Sequence, residues 1–275
     1  AARRYAAAMT EVKLLLFDVF GTLADWHGSI AREVHGLLAA RGLAVDGAGF
    51  ATAWRAEYQG AMEEVRSGRI PFCKLDLLHR RNLDIVLKAH GLDHLDEATR
   101  RQLNLAWHRL DGWPDVTPGL ARLRLKYRLA PCSNGNISLM ADLARRNGWH
   151  WDAITGAELA RDYKPKAIVY LSAVEAFDCA PHEAMMVAAH SSDLAAAAAA
   201  GLRTAFIARP NEHGPGIGET AASVPVDVSA NGLIDLAERL GVSGGAPAGD
   251  VEHGAGGEAH LFRGEPADHR RDFLD

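Results

Sequence analysis

Apolar residues follow two different rhythms along this chain. Val12 to Phe17 is an apolar run broken only by Lys13. A run of that length without alternation predicts a strand buried on both faces, as in a parallel sheet. From about Ser29 to His108 the rhythm turns helical. "IAREVHGLLAARGL", "FATAWRAEYQGAMEEVRSG", "KLDLLHRRNLDIVLKAHGL" and "DEATRRQLNLAWHRL" place apolar residues three and four positions apart, and glycine often closes the segment. They predict four amphipathic helices with no strand between them.

After "DGWPDVTPG" strands and helices alternate. "YRLAPCSN" and "AMMVAAHSSD" read as strands ending in polar turns, "RTAFIARP" as a strand and "VPVDVS" as a further short one. "ISLMADLARRNG", "KAIVYLSAVEAF", "LAAAAAAGL" and "NGLIDLAERLG" read as helices. This alternation predicts an α/β fold, a parallel sheet with helices on both faces, carrying an all-helical module inserted after the first strand. The expected layout is an N-terminal extension (1–11), a core (12–27 and 110–241), a helical cap (28–109) and a tail (242–275). The tail is rich in Gly, Ala and charge and poor in large apolar residues, a composition that predicts disorder.

Composition narrows the classes. The 275 residues suffice for one large domain or a core with an inserted module, and 48% are apolar. A net charge of -5, mixed along the chain, gives no support for a nucleic-acid or membrane-surface partner. No apolar run approaches the ~20 residues of a membrane span. "AARRYAAAMTEV" lacks the apolar stretch of a signal peptide, and Met9 reads as the initiator behind an extension. Cys73, Cys132 and Cys179 are odd in number and lack metal-ligand spacing, so they read as free thiols of a cytoplasmic protein.

The chemistry gathers at strand ends. In an open α/β sheet ligands bind beyond the carboxyl ends of the strands. The first strand ends in Asp18, and "YRLAPCSN" ends in Ser133 and Asn134. A loop before a helix carries Lys164, and "AMMVAAHSSD" ends in His190 and Asp193. Any one of these alone reads as an ordinary helix cap; the ordered set points to one crevice.

With these residues in view, the chain resembles the haloacid dehalogenase superfamily. "FDVFGTL", "CSNGN", "YKP" and "MVAAHSSDL" stand in the places of its four motifs, over roughly Val12 to Arg209. More narrowly it resembles the type II L-2-haloacid dehalogenases, through Phe20, "AWR" in the second cap helix, "SNGN", Tyr170 after "KP", and "RTAFIARP". The resemblance implies a Rossmann-like core with a helical cap, no cofactor, no metal, and a homodimer. It also implies hydrolysis of short L-2-haloalkanoic acids to D-2-hydroxy acids through an ester on Asp18. Most superfamily members are phosphatases that need Mg²⁺ and an acid two residues after the nucleophile. Here that place holds Phe20, as suits a leaving halide that needs no proton.

Roles follow. Lys164 is expected to hold Asp18 ionised. Thr22 and Ser133 are expected to donate to Asp18 or to the substrate carboxylate, together with N–H groups at helix starts. Arg55 and Asn134 are expected to bind halide. Phe20, with Phe72, is expected to wall the pocket, and Tyr170 matches an active-site tyrosine of the family. The fourth motif departs from the best-known members, with Ala188 and His190 where Ser and Asn are expected. Either Asp193 activates the hydrolytic water, or His190 does, oriented by an acid such as Asp25. Two alternatives stand beside the dehalogenase reading: a Mg²⁺-dependent phosphatase, and a non-catalytic binding protein of the same fold.

Overall fold

The computed structural model describes residues 12–242. The expectations for the extension and for the tail beyond Val242 lie outside the described residues. Val242 itself is not part of a solvated tail: it is 5% exposed and its N–H donates to Ala237 O at 2.9 Å.

Among the described residues the first element is strand β1 (Leu14–Phe17), every residue of which is fully buried. Then come a two-residue strand β2 (Ala24–Asp25) and helices α1 (Trp26–Ala39), α2 (Gly47–Ala56), α3 (Tyr58–Arg66), α4 (Leu75–Ala89) and α5 (Glu97–Asn104). A 3₁₀ turn (Leu105–Arg109) leads to β3 (Asp111–Gly112) and α6 (Val116–Leu123). The remaining elements are β4 (Arg128–Ser133), α7 (Ile137–Asn147), β5 (Thr155–Gly156), α8 (Ala157–Ala160), α9 (Ala167–Glu175), β6 (Ala184–Ala188), α10 (Ser191–Ala199), β7 (Arg203–Ile207), β8 (Val228–Ala230) and α11 (Leu233–Arg239).

Six strands form one parallel sheet in the order β5-β4-β1-β6-β7-β8. The pleat sorts its side chains. Leu15 and Phe17 join Leu129, Met185, Val187, Ala205 and Ile207 in one apolar layer. Leu14 and Leu16 join Ala130, Cys132, Met186, Ala188 and Phe206 in the other, under α9 and α10. Both faces are thus covered, which is why β1 shows no alternation in sequence. Its place at the centre of the sheet brings Asp18 to the middle of the carboxyl edge.

The helical reading between the first two long strands holds, with refinements. The second candidate is two helices, α2 and α3, which meet at Glu57. The fourth ends as a 3₁₀ turn. The antiparallel pair β2–β3 brackets the helical segment at its two ends; strands of two residues carry too little pattern to be seen in sequence. The same applies to β5. It approaches β4 through Gly156 (φ +116°), where a Cβ would stand 2.2 Å from Ser133 O. The last strand falls at Val228–Ala230, a few residues beyond the middle of "VPVDVS". The helical segment packs around Trp26, Phe50, Trp54 and Trp107, all 1% exposed or less, in an apolar cluster continuous with one face of the sheet.

Arg209, just beyond β7, ties three parts of the core. Its Nε donates to Thr22 O at 2.8 Å, and Nη1 and Nη2 form a forked pair with Asp115 at 2.8 and 2.9 Å. Asp115 also accepts the Leu233 N–H at 2.7 Å, at the start of α11. Arg209 is 6% exposed, so removing its partner strands a buried cation. Asp115→Ala is expected to lower unfolding stability by about 3 kcal/mol in a urea titration.

Candidate active site

Asp18 leaves β1 with its N–H bonded to Val187 O at 3.0 Å. Its carboxylate is 6% exposed and receives three donors. Lys164 Nζ lies 2.8 Å from Oδ1. Thr22 Oγ1 donates to Oδ2 at 2.7 Å, and His190 Nδ1 lies 3.1 Å from the same oxygen. The Thr22 hydroxyl in turn accepts the Ala189 N–H at 2.9 Å, so its proton is committed to Asp18. Burial alone would raise the Asp18 pKa. The charge of Lys164, then the hydrogen bond and charge of His190, outweigh it and hold the carboxyl far below the usual range.

Lys164 Nζ also pairs with Asp193 Oδ2 at 2.6 Å, and Tyr170 OH donates to Asp193 Oδ1 at 2.6 Å. Asp193 sits in the first turn of α10, which begins earlier in the chain than its alanine run suggests. Burial opposes the Lys164 charge, but the two carboxylates raise its pKa well above normal. Burial, with the carboxylate of Asp193, pushes the Tyr170 hydroxyl up. Asn134 Oδ1 accepts the Lys164 N–H at 2.9 Å.

His190 is the N-cap residue of α10 and stands between two acids. Its Nε2 lies 2.9 Å from both oxygens of Glu212, which also accepts Trp26 Nε1–H at 3.1 Å. Burial works against the imidazolium, yet hydrogen bonds and charge from Asp18 and Glu212 lift its pKa to about 10. At neutral pH the ring is a cation clamped between carboxylates. Glu212 reaches it because Gly21 (φ +86°) leaves room: a Cβ there would stand 2.2 Å from Glu212 Oε1.

These groups line one cavity of about 980 Å³ between the sheet edge and the helical segment. Phe20, Trp26 and Tyr58 form its apolar side, with Arg55 lying against them. The Arg55 guanidinium lies 3.9 Å from the Tyr58 ring centre and 5.3 Å from that of Trp26, and its Nη1 is buried with no hydrogen-bond partner. An arginine held on aromatic faces with a free donor is built for an anion.

Asp18, Phe20, Arg55, Asn134, Lys164, Tyr170, His190 and Asp193 therefore line one cavity, with Thr22 behind Asp18. Three expectations need correction. Asp25 does not orient His190: its Oδ1 accepts the Gly28 N–H at 2.8 Å and caps α1, which fixes it on β2. Ser133 is not among the donors to Asp18 and does not line the cavity: it is fully buried, and its Oγ accepts the Gly135 N–H at 3.0 Å, closing the turn after β4. Phe72 is not on the cavity wall; it packs 5.5 Å from the Tyr163 ring with Arg161 over it. Glu212 was missed. Its signal was present, since β7 also ends at the carboxyl edge and "RPNEHG" follows it.

All four carboxylate oxygens of Asp18 and Asp193 are already engaged, by Lys164, Thr22, His190 and Tyr170, and Phe20 offers no ligand, so this donor set does not fit Mg²⁺. Among the described residues no group of three or more His, Cys, Asp or Glu is arranged to hold a metal ion, and no helix is long and apolar enough to cross a membrane.

A parallel sheet whose central strand ends in an aspartate, faced by a lysine and a helical layer, defines the haloacid dehalogenase-like class of hydrolases. The model of that family, described as haloacid dehalogenase-like hydrolase, matches residues 12–201, and the chain belongs to it. It is similar to the solved defluorinating L-2-haloacid dehalogenase Rha0230, at 44% identity and TM-score 0.81 over 83% of this chain and 95% of the other. The solved L-2-haloacid dehalogenase PA0810 is similar at 43% identity and TM-score 0.81, over 84% of this chain and all of the other. Among curated proteins, (S)-2-haloacid dehalogenase 1 of Pseudomonas sp. (strain CBS-3) is 26% identical over 208 residues, 74% of this chain and 88% of that protein.

The clamp on His190 has a sign in pH. Its folded pKa of about 10 exceeds the ordinary 6.5, so the stability it contributes is full below pH 6.5 and is lost as pH rises through 10. His190→Gln is expected to flatten the fall in denaturation midpoint over that window. An unchanged pH slope in the variant would contradict the clamp.

Proposed function

We propose that the protein hydrolyses short L-2-haloalkanoic acids to D-2-hydroxy acids through an ester on Asp18, with residues 28–109 as a cap over the core (12–27 and 110–241). The observation that carries this reading is the buried, unprotonated Asp18 facing Arg55 across a cavity walled by Phe20. Oδ1 has a single donor and Oδ2 has two, which leaves Oδ1 the freer nucleophile. It attacks C2 in line with the carbon–halogen bond, the halide leaves toward Arg55 and Asn134, and C2 inverts. Phe20 and the neighbouring aromatics keep water from the displacement.

In the second step water attacks the ester carbon. Oδ2, now the carbonyl oxygen, gathers negative charge where the Thr22 hydroxyl already points. Esterification removes the charge of Asp18, and with it one of the two carboxylates that keep His190 protonated. His190 then releases its Nδ1 proton to solvent, keeps Nε2–H on Glu212, and uses Nδ1 to take one proton from the attacking water; the other passes from the tetrahedral intermediate to the departing alkoxide. Asp193, with both oxygens engaged by Lys164 and Tyr170, holds the lysine in place. The 2-hydroxy acid leaves and the carboxylate is restored. The same reading carries the enzyme as a cytoplasmic homodimer acting on a small molecule, with no nucleic-acid partner; sedimentation velocity tests the dimer.

Halide release from L- and D-2-chloropropionate in the presence of EDTA tests the reaction. Release from the L isomer alone is expected, with a loss of more than about 10³-fold in Asp18→Asn. Mg²⁺-dependent hydrolysis of a phosphate ester without halide release would overturn it in favour of a phosphatase. Binding of the acid without turnover would leave a non-catalytic binding protein.

Glu212→Gln separates the two steps. Ester hydrolysis in single turnover is expected to slow by about 10²-fold, with the ester on Asp18 accumulating in intact-protein mass spectra. Unaltered hydrolysis would return the role of base to Asp193.

A further inference from the structure

Lys164 is the cation on which the charge of Asp18 chiefly depends, and its side chain is four flexible carbons long. An ammonium on such a stem is placed only as well as its own backbone is placed. The next residue, Pro165, has no N–H to anchor the loop, so the Lys164 N–H and C=O are the handles at this point. The core takes the first, through Asn134 Oδ1 at 2.9 Å. The second is taken from the helical segment: Arg66 Nη1 donates to Lys164 O at 2.8 Å.

Arg66 is built into place before it reaches the loop. Its Nε donates to Glu63 Oε2 at 2.8 Å and its Nη2 to Gln59 O at 3.2 Å, both within α3. Its side chain is 11% exposed. A cation in the last turn of a helix is ordinary, but a bond to a carbonyl 98 positions away is not explained by the helix. Nearby contacts seat the same edge: Tyr163 OH donates to Cys73 O at 2.7 Å, and Lys74 pairs with Glu158 at 2.9 Å.

We propose that Arg66 is a positioning residue for the reaction: it fixes the Lys164 main chain, so that the ammonium stands between Asp18 and Asp193 only while the helical segment is seated. For turnover this rests on the dehalogenase reading; for the state of Asp18 it does not. The charged and titratable groups that line the cavity with Asp18 are Lys164 and Lys166 before α9, His190 and Asp193 at α10, Glu212 and His213 from the loop after β7, and Arg55, Glu63 and Arg66 from the helical segment; those in contact with Asp18 are Lys164 and His190. Of these, removing Arg66 displaces Lys164. Asp18 then loses part of its partner, its pKa rises, and the carboxylate is lost at higher pH than in the wild type.

Two readouts test this. The first is a carboxyl-¹³C NMR titration of Asp18, assigned by its loss in Asp18→Asn, in wild type, Arg66→Met and Arg66→Lys. The Asp18 resonance is expected to titrate at higher pH in Arg66→Met, with Arg66→Lys between, since one ammonium reaches the carbonyl without the fork. The second is the pH profile of halide release from L-2-chloropropionate. The acid limb is expected to move up in pH with kcat reduced by about tenfold, a loss characteristic of misplaced catalytic groups. Glu63→Gln weakens the buttress of Arg66 and also removes an acid from the cavity, which by itself would lower the Asp18 pKa; a smaller shift of both readouts in the upward direction is still expected, and this variant serves if Arg66→Met does not fold. A folded Arg66→Met or Glu63→Gln with the wild-type Asp18 titration overturns the proposal. Wild-type protein that releases no halide overturns the dehalogenase reading instead, and leaves the titration to decide the role of Arg66.

Discussion

The site depends on one ammonium lodged between two carboxylates. Asp18, Asp193 and Lys164 are each buried to within a tenth of their surface. Carboxylates that close and that dry would repel each other and take up protons; Lys164 prevents this by touching both. His190, between Asp18 and Glu212, repeats the arrangement, a second cation between two anions on the other side of the nucleophile. The result is a short row of alternating charge along the carboxyl edge of the sheet. An alteration at any member is felt by its neighbours, so the row behaves as one unit in a medium that screens it poorly.

Much of this was legible in the chain because it is written in strand ends. β1, β4 and β6 each show an apolar run closed by polar residues, and the rule that ligands sit beyond those ends points to Asp18, Asn134, His190 and Asp193. The helical segment was legible through its three- and four-residue spacing. What escaped did so for physical reasons. β2, β3 and β5 are too short to show a period. Asp25 is near the nucleophile in sequence, but proximity along a chain does not set direction, and the helix start claimed its carboxylate. Ser133 looked like a ligand and serves the turn. Glu212 lies in a loop without regular pattern, and only the paired geometry of Gly21 and Glu212 reveals why the acid can come so close.

The aromatic lining shows how a basic side chain serves an apolar pocket. Arg55 lies against the faces of Tyr58 and Trp26, and these contacts hold its charge without neutralising it. A carboxylate in their place would have held the arginine more firmly and cancelled its attraction for an anion. Phe20 completes the wall at the position where a proton donor would stand in a site built for phosphate esters. In the proposed reaction the departing group would be received by a cation set among aromatic rings.

The acid behind His190 arrives from the loop after the fifth strand of the sheet to appear in the chain, nearly two hundred residues from the nucleophile it assists. In the proposed mechanism alkylation relies on β1, the lysine loop and α2, and hydrolysis of the ester relies on this distant loop as well. Descent with modification therefore has separate handles on the two half-reactions. Changes in the length or sequence of the loop that carries Glu212 would alter how long the enzyme stays esterified, while the choice of acid to be attacked stays with the cavity wall.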